Sequence, residues 1–156
     1  LLSTCLAGCS TTPYKKQAYA KLQNTKTFEE DYAVVWKAIT VSLADYLIES
    51  NNQSEGRIQT DWIYSTSNEK YIEYKVNGFP RKRYLQTRYK YKISAKKQLG
   101  GVEVTVDLAE EIEHLKSDGS FESWKSSTDP DSSRQNDLLK TIELNIHSLP
   151  KIANLY

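Results

Sequence analysis

Apolar residues recur at steps of three and four after residue 30, which is the spacing of one face of an α-helix. These residues are Tyr32, Val35, Trp36, Ile39, Leu43, Tyr46 and Leu47. The preceding Thr27-Phe28-Glu29-Glu30 fits a capping box, with Thr27 as the N-cap and Glu30 reaching back to it. The pattern predicts one long amphipathic helix from about Phe28 to Glu49.

Beyond Gly56 the apolar period changes to two, which indicates β-strands. We expect a first strand at residues 58–64 and a short second strand at residues 71–76, separated by a break at residues 65–68. Asn77-Gly78 is a turn signal that favours a hairpin. The longest alternation runs over residues 83–95, and its expected inward positions are Leu85, Thr87, Tyr89, Tyr91 and Ile93.

The alternation resumes after Gly100-Gly101, from Val102 toward His114, and a brief last strand is expected around Phe121 and Trp124. Asp129-Pro130 then fits an N-cap followed by proline at the first helical position, and a second amphipathic helix is predicted up to Pro150. Both helical stripes need an apolar surface, and one face of the sheet supplies it. The predicted fold class is α+β: an antiparallel sheet of three to five strands packed on a long N-terminal helix and a C-terminal helix.

The composition fits one folded domain with no strong electrostatic preference. The 156 residues are 38% hydrophobic and 26% charged, and 21 basic against 20 acidic residues give a net charge of +1. This balance gives no global field that favours nucleic acid, which is not expected as a partner. No apolar run approaches the length that spans a bilayer.

The first nine residues end in Leu6-Ala7-Gly8-Cys9, which resembles the lipobox of bacterial lipoproteins. The resemblance implies that signal peptidase II cleaves before Cys9, which then carries a diacylglyceryl thioether and an amide-linked acyl chain. Residues 1–8 are then a signal-peptide remnant and residues 9–26 a flexible tether, followed by a domain at residues 27–150 and a tail at residues 151–156. Ser10 implies the outer membrane, because an aspartate at this position signals retention in the inner membrane.

Cys5 is the other cysteine of the chain, and it lies in the segment expected to be removed. The mature protein is therefore expected to have neither a disulfide nor a cysteine-based metal site. No cofactor is expected apart from the covalent lipid on Cys9.

A second resemblance covers the folded part of the chain. Val35-Trp36 on the first helix, followed by the segment Gly56-Arg57-Ile58-Gln59-Thr60-Asp61-Trp62, resembles the BamC-like domain of outer-membrane assembly lipoproteins. Arg88, Trp124 and a closing amphipathic helix are similar as well. The resemblance spans about residues 28–149 and implies a helix-grip fold, in which a curved antiparallel sheet grips a helix.

The candidate partner-binding residues are Arg81, Lys82, Arg83 and Tyr84, which lie beside the predicted Asn77-Gly78 turn. They open a basic and aromatic stretch that continues through Arg88-Tyr89-Lys90-Tyr91-Lys92. Its simplest interpretation is a charged sheet face paired with acidic residues of the next strand. The alternatives are docking of a protein partner and contact with anionic lipid or lipopolysaccharide.

Other residues give weaker signals. Glu110 is expected on the inward face, where it reaches solvent or pairs with Arg83, and His114 and His147 have no metal-ligand spacing. Trp36, Trp62 and Trp124 are expected in the core, or else as the lining of a cleft between helix and sheet. Nothing in the sequence indicates catalysis.

The sequence thus favours a lipid-anchored periplasmic domain of the outer membrane that acts as a non-enzymatic scaffold or accessory subunit of an envelope complex, with outer-membrane protein assembly as one possible setting. The expected interface is an exposed sheet edge. The alternative is a carrier that holds a lipid or hydrophobic ligand between the long helix and the sheet.

Overall fold

The structure is a computed structural model that describes residues 13–17 and 19–149. Its described part contains one eight-stranded antiparallel sheet and two helices. The strands are β1 (Lys15–Lys16), β2 (Thr25–Phe28), β3 (Ile48–Asn52), β4 (Arg57–Thr60), β5 (Ile63–Val76), β6 (Phe79–Gln98), β7 (Gly101–Leu115) and β8 (Phe121–Ser126). The helices are α1 (Tyr32–Ser42), between β2 and β3, and α2 (Ser132–Ser148), after β8.

The two longest strands, β6 and β7, form the centre of the sheet with 20 and 15 residues. They pair from Gln98 and Gly101 down to Thr87 and Ile112. Each is flanked by different strands along its two halves. β5 follows the first half of β6 and β4 the second, while β2 and β8 pair with opposite ends of β7.

The core lies on one face of this sheet, where both helices cover it. The predicted inward positions of β6 are confirmed, since Leu85, Thr87, Tyr89, Tyr91 and Ile93 are all buried. They face the same side as the alternating valines of β7 and the buried residues of the helices, including Trp36 and Ile142. We call this the inner face of the sheet, and the opposite side its outer face.

The predicted long N-terminal helix is wrong. α1 has 11 residues, and the sequence on either side of it forms strands β2 and β3. Thr27 does not cap the helix, because it pairs with Glu103 in the β2–β7 ladder, and the N-cap is Asp31. Tertiary pairing overrides local helix signals here: Phe28 gains more from burial in the sheet core, at 5% exposure, than from a first helical turn.

The predicted fold class is wrong as well. The described part has eight strands rather than three to five, and the short α1 replaces the long N-terminal helix of the expected helix-grip fold, whereas the predicted C-terminal helix is present as α2. The additional strands are short edge strands, whose few residues carry too little alternation to be recognised. β1 and the first two residues of β2 lie in the segment predicted as a tether, at residues 9–26.

β5 corrects one predicted strand boundary. The expected break at residues 65–68 is a bulge within one continuous strand, where the pairing with β6 shifts between Thr66 and Tyr71. The hydroxyl of Ser67 accepts hydrogen bonds from the backbone N–H groups of Glu69 and Lys70, at 3.2 and 2.9 Å. Serine thus satisfies the backbone where the ladder is interrupted, and the strand continues to the turn.

The remaining boundaries are close to prediction. The hairpin turn at Asn77-Gly78 is confirmed, with φ values of 51° and 81°. α2 starts two residues later than expected, because the side chain of Asp131, not Asp129, caps it by accepting a hydrogen bond from the N–H of Ser133 at 2.9 Å. The predicted tail and the lipobox cysteine, Cys9, lie outside the described residues.

Candidate interaction surface

An arginine held between two tryptophans marks the outer face of the sheet. The guanidinium carbon of Arg88, on β6, lies 4.4 Å from the ring centre of Trp62 and 5.0 Å from that of Trp124. The neighbouring strand β7 supplies the carboxylate of Glu111, at 2.5 Å from the guanidinium. Burial lowers the pKa of Arg88, but hydrogen bonds to Tyr64 and Glu111 outweigh it and raise the pKa. Arg88 therefore stays a cation and orders the rings around it.

Two more aromatic rings extend this stack toward solvent. Tyr64 and Phe121 lie edge-on or tilted against Trp124, with ring centres 6.0 and 5.5 Å apart, and they are 65% and 50% exposed. We call the five residues Trp62, Tyr64, Arg88, Phe121 and Trp124 the aromatic patch. Tryptophan, tyrosine and arginine are the residue types that dominate protein interfaces, because they bury large areas and still donate hydrogen bonds.

The chain turns at Asp61 and Trp62, and this turn puts two of the aromatic residues on the outer face. Ile58 and Thr60 of β4 point inward, but β4 ends there and β5 starts with the inward Ile63. The carboxylate of Asp61 accepts the N–H of Trp62 at 2.7 Å and stabilises this change of direction. Trp62 and Tyr64 consequently lie opposite to the face that strict alternation predicts.

The predicted charged face is also present on the outer side of the sheet. Lys92 lies opposite Asp107 and Arg88 opposite Glu111, so basic and acidic residues face each other across β6 and β7. In this register Ala95 pairs with Val104. Lys90 pairs with Glu49 of β3 at 2.6 Å, and its hydrogen bond lowers the pKa of that carboxyl.

The predicted partner-binding residues lie on the β5–β6 hairpin, which projects past the rest of the sheet. Residues 73–82 are all exposed. Arg81 lies near the tip, and Lys82 stands 4.4 Å over the ring of Tyr71. Arg83 pairs with Glu113 at 3.1 Å, and Tyr84 packs on Tyr71 with ring centres 5.7 Å apart. Arg81 and Lys82 therefore lie on the projecting part of the hairpin, and Arg83 and Tyr84 lie at its base.

The structure does not bring the three tryptophans together. Trp36 is buried in the inner core and stacks on Tyr32, whereas Trp62 and Trp124 belong to the outer face. A cleft of about 830 Å³ lies near the start of α1, and its lining of Tyr32, Gln53, Ser54, Glu55, Gly56, Ala95, Lys96 and Lys97 includes no tryptophan. Its surface is about equally polar and apolar and is lined by the charged side chains of Glu55, Lys96 and Lys97, so it does not support the alternative of a carrier for a hydrophobic ligand.

A buried ion pair, not recognised in the sequence, lies where the β5 bulge meets β7. The ammonium of Lys70 is 2.5 Å from the carboxylate of Glu110, and both side chains are 2% exposed. Lys70 also donates to the hydroxyl of Ser127 and the carbonyl of Asp129, both at 3.1 Å. The expectation that Glu110 reaches solvent or pairs with Arg83 is therefore wrong.

A second carboxylate lies beside this pair on the bulge. Glu69 is 7% exposed, and burial raises its pKa, with further repulsion from Asp131. The nearest cation to its Oε2 atom is Lys16 of β1, at 3.9 Å. The sequence gives no signal for this cluster, because a lysine in a polar break is normally a solvent-exposed residue.

The described residues contain no group of His, Cys, Asp and Glu side chains placed to hold a metal ion. His114 lies 3.3 Å from Glu122 on β8, and His147 is in the last turn of α2. Within residues 13–17 and 19–149, no helix is long and apolar enough to cross a membrane.

Comparison with known proteins identifies the family. A search of curated proteins gives no significant match. A family model does match, over residues 11–143, and it describes the N-terminal domain of the outer membrane protein assembly factor BamC and its relatives. The match includes all of the aromatic patch, the hairpin and both buried carboxylates. The resemblance seen in the Val-Trp helix and the Gly56–Trp62 segment is thus confirmed, and the chain belongs to the BamC-like N-terminal domain family.

Proposed function

We propose that this chain is an outer-membrane lipoprotein, acylated on Cys9, that serves as a non-enzymatic accessory subunit of an outer-membrane protein assembly complex. Its family consists of outer-membrane-associated lipoproteins that face the periplasm and take part in this assembly. Anchoring fits such a role, because confinement at the membrane raises the effective concentration near membrane-bound partners.

The observation that carries the proposal is the aromatic patch on the uncovered face of the sheet. Tyr64 and Phe121 expose large aromatic surfaces next to a cation fixed by Trp62 and Trp124. A protein partner that covers this patch removes apolar area from water and keeps the guanidinium paired with Glu111. The patch has the composition expected at the centre of a protein interface, and charged residues lie around it.

The adjoining edge of β8 offers a second element of recognition. β8 pairs with β7 along one side, and within the described residues no strand pairs with its other side. An extended segment of a partner can add there as a further strand, with alternate side chains directed at the patch. Backbone hydrogen bonds then supply affinity, and Trp124 and Phe121 supply specificity.

Site-specific photo-crosslinking in living cells tests the docking surface. A photoreactive residue in place of Tyr64 is expected to crosslink a subunit of the assembly complex. The matched control replaces Leu144 of α2, which is 69% exposed on the helical side. Equal crosslinking from both positions, or none from position 64, would refute the assignment of this surface.

The anchor is tested separately by fractionation. The Cys9→Ala variant is expected to leave the outer-membrane fraction, whereas the Cys5→Ala variant is expected to remain there with its acyl chains. Retention of the Cys9→Ala variant in the outer membrane would show that the attachment does not depend on acylation of this cysteine.

A further inference from the structure

The β5–β6 hairpin presents an apolar stripe that continues outward from a small buried cluster. Ile72 packs on the buried Leu85, Ile112 and Leu115. Beyond Ile72 the same face of the hairpin carries Tyr74 and then the paired residues Val76 and Phe79. These three are 46%, 45% and 69% exposed, in the order given. The tip of the hairpin thus exposes apolar side chains that no other part of the described chain covers.

Basic residues surround this tip. Arg81 lies opposite Tyr74, Lys75 opposite Pro80, and Lys82 opposite Glu73. Glu73 is neutralised by Lys15 at 2.5 Å. Lys75 and Arg81 form no ion pair within the described part of the chain, so their charges are available to an anionic surface. Aromatic and aliphatic residues ringed by lysine and arginine are typical of segments that enter the interface of a lipid bilayer.

The path of the N-terminal segment relates the hairpin to the proposed membrane anchor at Cys9. β1 is antiparallel to β5, with Lys15 opposite Tyr71 and Lys16 opposite Lys70. The chain traced backward from Lys16 therefore runs beside β5 in the direction of the hairpin turn. Continued for two residues in the same register, this pairing puts Pro13 level with Glu73.

The length of β5 up to the turn can be compared with the reach of the chain from Pro13 to Cys9. β5 advances about 3.3 Å per residue, so Asn77 lies about 13 Å beyond Glu73. The four residues from Pro13 back to Cys9 span at most about 14 Å when fully extended. When the tether continues along β5, a bilayer that holds Cys9 lies no farther out than about the hairpin tip, so the tip is within reach of the lipid.

We infer that the tip of the β5–β6 hairpin is a second membrane contact, in which Val76 and Phe79 enter the interface and Lys75 and Arg81 bind anionic phospholipid headgroups. This inference rests on the proposed acylation of Cys9 for its geometry. Two contacts fix the orientation of the domain, since a single flexible tether leaves it free to rotate. The aromatic patch is then presented to the periplasm in a defined direction.

The test reproduces the tether chemically, so that it does not depend on acylation in the cell. The full chain with Cys5→Ala is coupled through the Cys9 thiol to a maleimide phospholipid in vesicles of phosphatidylethanolamine and phosphatidylglycerol. An environment-sensitive fluorescent amino acid replaces Phe79, or, as the matched control, Leu99 at the opposite end of β6, which is fully exposed. We expect a blue shift of the emission at position 79 and none at position 99.

Charge dependence is measured in the same vesicles. Arg81→Gln is expected to reduce the ratio of inserted to free hairpin about fivefold, whereas Lys97→Gln, at the far end of β6, leaves it unchanged. Circular dichroism of both variants checks that the fold is retained. Aqueous emission at position 79, or equal effects of the two charge changes, would overturn the inference.

A protein occupant gives a different result. If the label at position 79 is shielded from water in native envelopes but emits as in water on pure lipid vesicles, the hairpin tip binds a protein and the lipid contact is refuted. Failure of the acylation proposal, seen as retention of the Cys9→Ala variant in the fractionation experiment, leaves the vesicle measurement interpretable.

Discussion

Removal of the buried lysine is expected to be among the most damaging single changes in this protein. Lys70 is 1% exposed and donates to three acceptors, from Glu110, Ser127 and Asp129. In a Lys70→Met variant the carboxylate of Glu110 stays buried without its counter-ion. Its remaining contact is the N–H of Asp131, at 3.4 Å from Oε2.

The size of the effect follows from the cost of an unpaired buried charge. Breaking such a pair from one side costs about 3–5 kcal/mol, which is roughly a fifth or more of the stability of an ordinary domain. For a chain of this length that corresponds to a fall in Tm of roughly 10 °C or more. The double variant Lys70→Met with Glu110→Leu removes both charges and is expected to cost only about 1–2 kcal/mol, mainly for the two acceptors that lose their donor.

Urea denaturation followed by tryptophan fluorescence and circular dichroism measures these free energies of unfolding. The matched control is Lys26→Met, which removes a lysine that lies 2.5 Å from Glu143 with side chains 43% and 33% exposed. This surface pair is expected to contribute less than about 1 kcal/mol. The reasoning is refuted if Lys70→Met loses no more stability than Lys26→Met, or if the double variant is as unstable as the single one.

Three further predictions concern the bulge, the aromatic patch and the turn before β7. Burial raises the pKa of Glu69, so the charged carboxylate opposes folding increasingly as the pH rises above the ordinary pKa of a glutamate. Glu69→Gln should therefore stabilise the protein at pH 7, and urea titrations should show that this gain vanishes at low pH. Glu73→Gln should do the reverse, because the hydrogen bond from Lys15 lowers the pKa of Glu73, and a matching sign for both variants would contradict the argument. Arg88→Met should cost about 1–3 kcal/mol in unfolding free energy, since it removes two cation–π contacts and an ion pair, and an unchanged urea midpoint would disprove their role. Gly101→Ala should destabilise the protein far more than Gly100→Ala. A Cβ at Gly101 would lie 1.9 Å from the carbonyl oxygen of Phe28, whereas a Cβ at Gly100 meets nothing within 4 Å. Equal decreases in Tm for the two variants would rule this out.

The central strands could be predicted from the sequence because their alternation is long. Thirteen residues of unbroken period in β6 leave only one way to bury Leu85 through Ile93, and the Asn77-Gly78 turn fixes where the strand begins. The short edge strands could not be found in the same way. Lys15–Lys16 and Thr25–Phe28 are defined by partners more than 50 residues away, and nothing local distinguishes them from a tether.

The candidate site was only partly within reach of sequence reasoning. The basic hairpin and the charged outer face follow from composition and period. The stack of Arg88 between Trp62 and Trp124 does not, because it depends on a turn at Asp61 that reverses the side to which the next residues point. The Lys70–Glu110 pair likewise depends on a bulge that turns a polar segment inward, and no periodic pattern records such a turn.

The order of strand pairing has a consequence for how the protein folds. β5 pairs with β6, β6 with β7, and β7 with β8, so this meander closes only short loops. β1 and β2, in contrast, pair with β5 and β7 across long stretches of chain. The meander is thus expected to form first, while the N-terminal segment is still unpaired. If Cys9 is acylated as proposed, docking of β1 and β2 then shortens the tether and draws the finished domain toward the membrane surface.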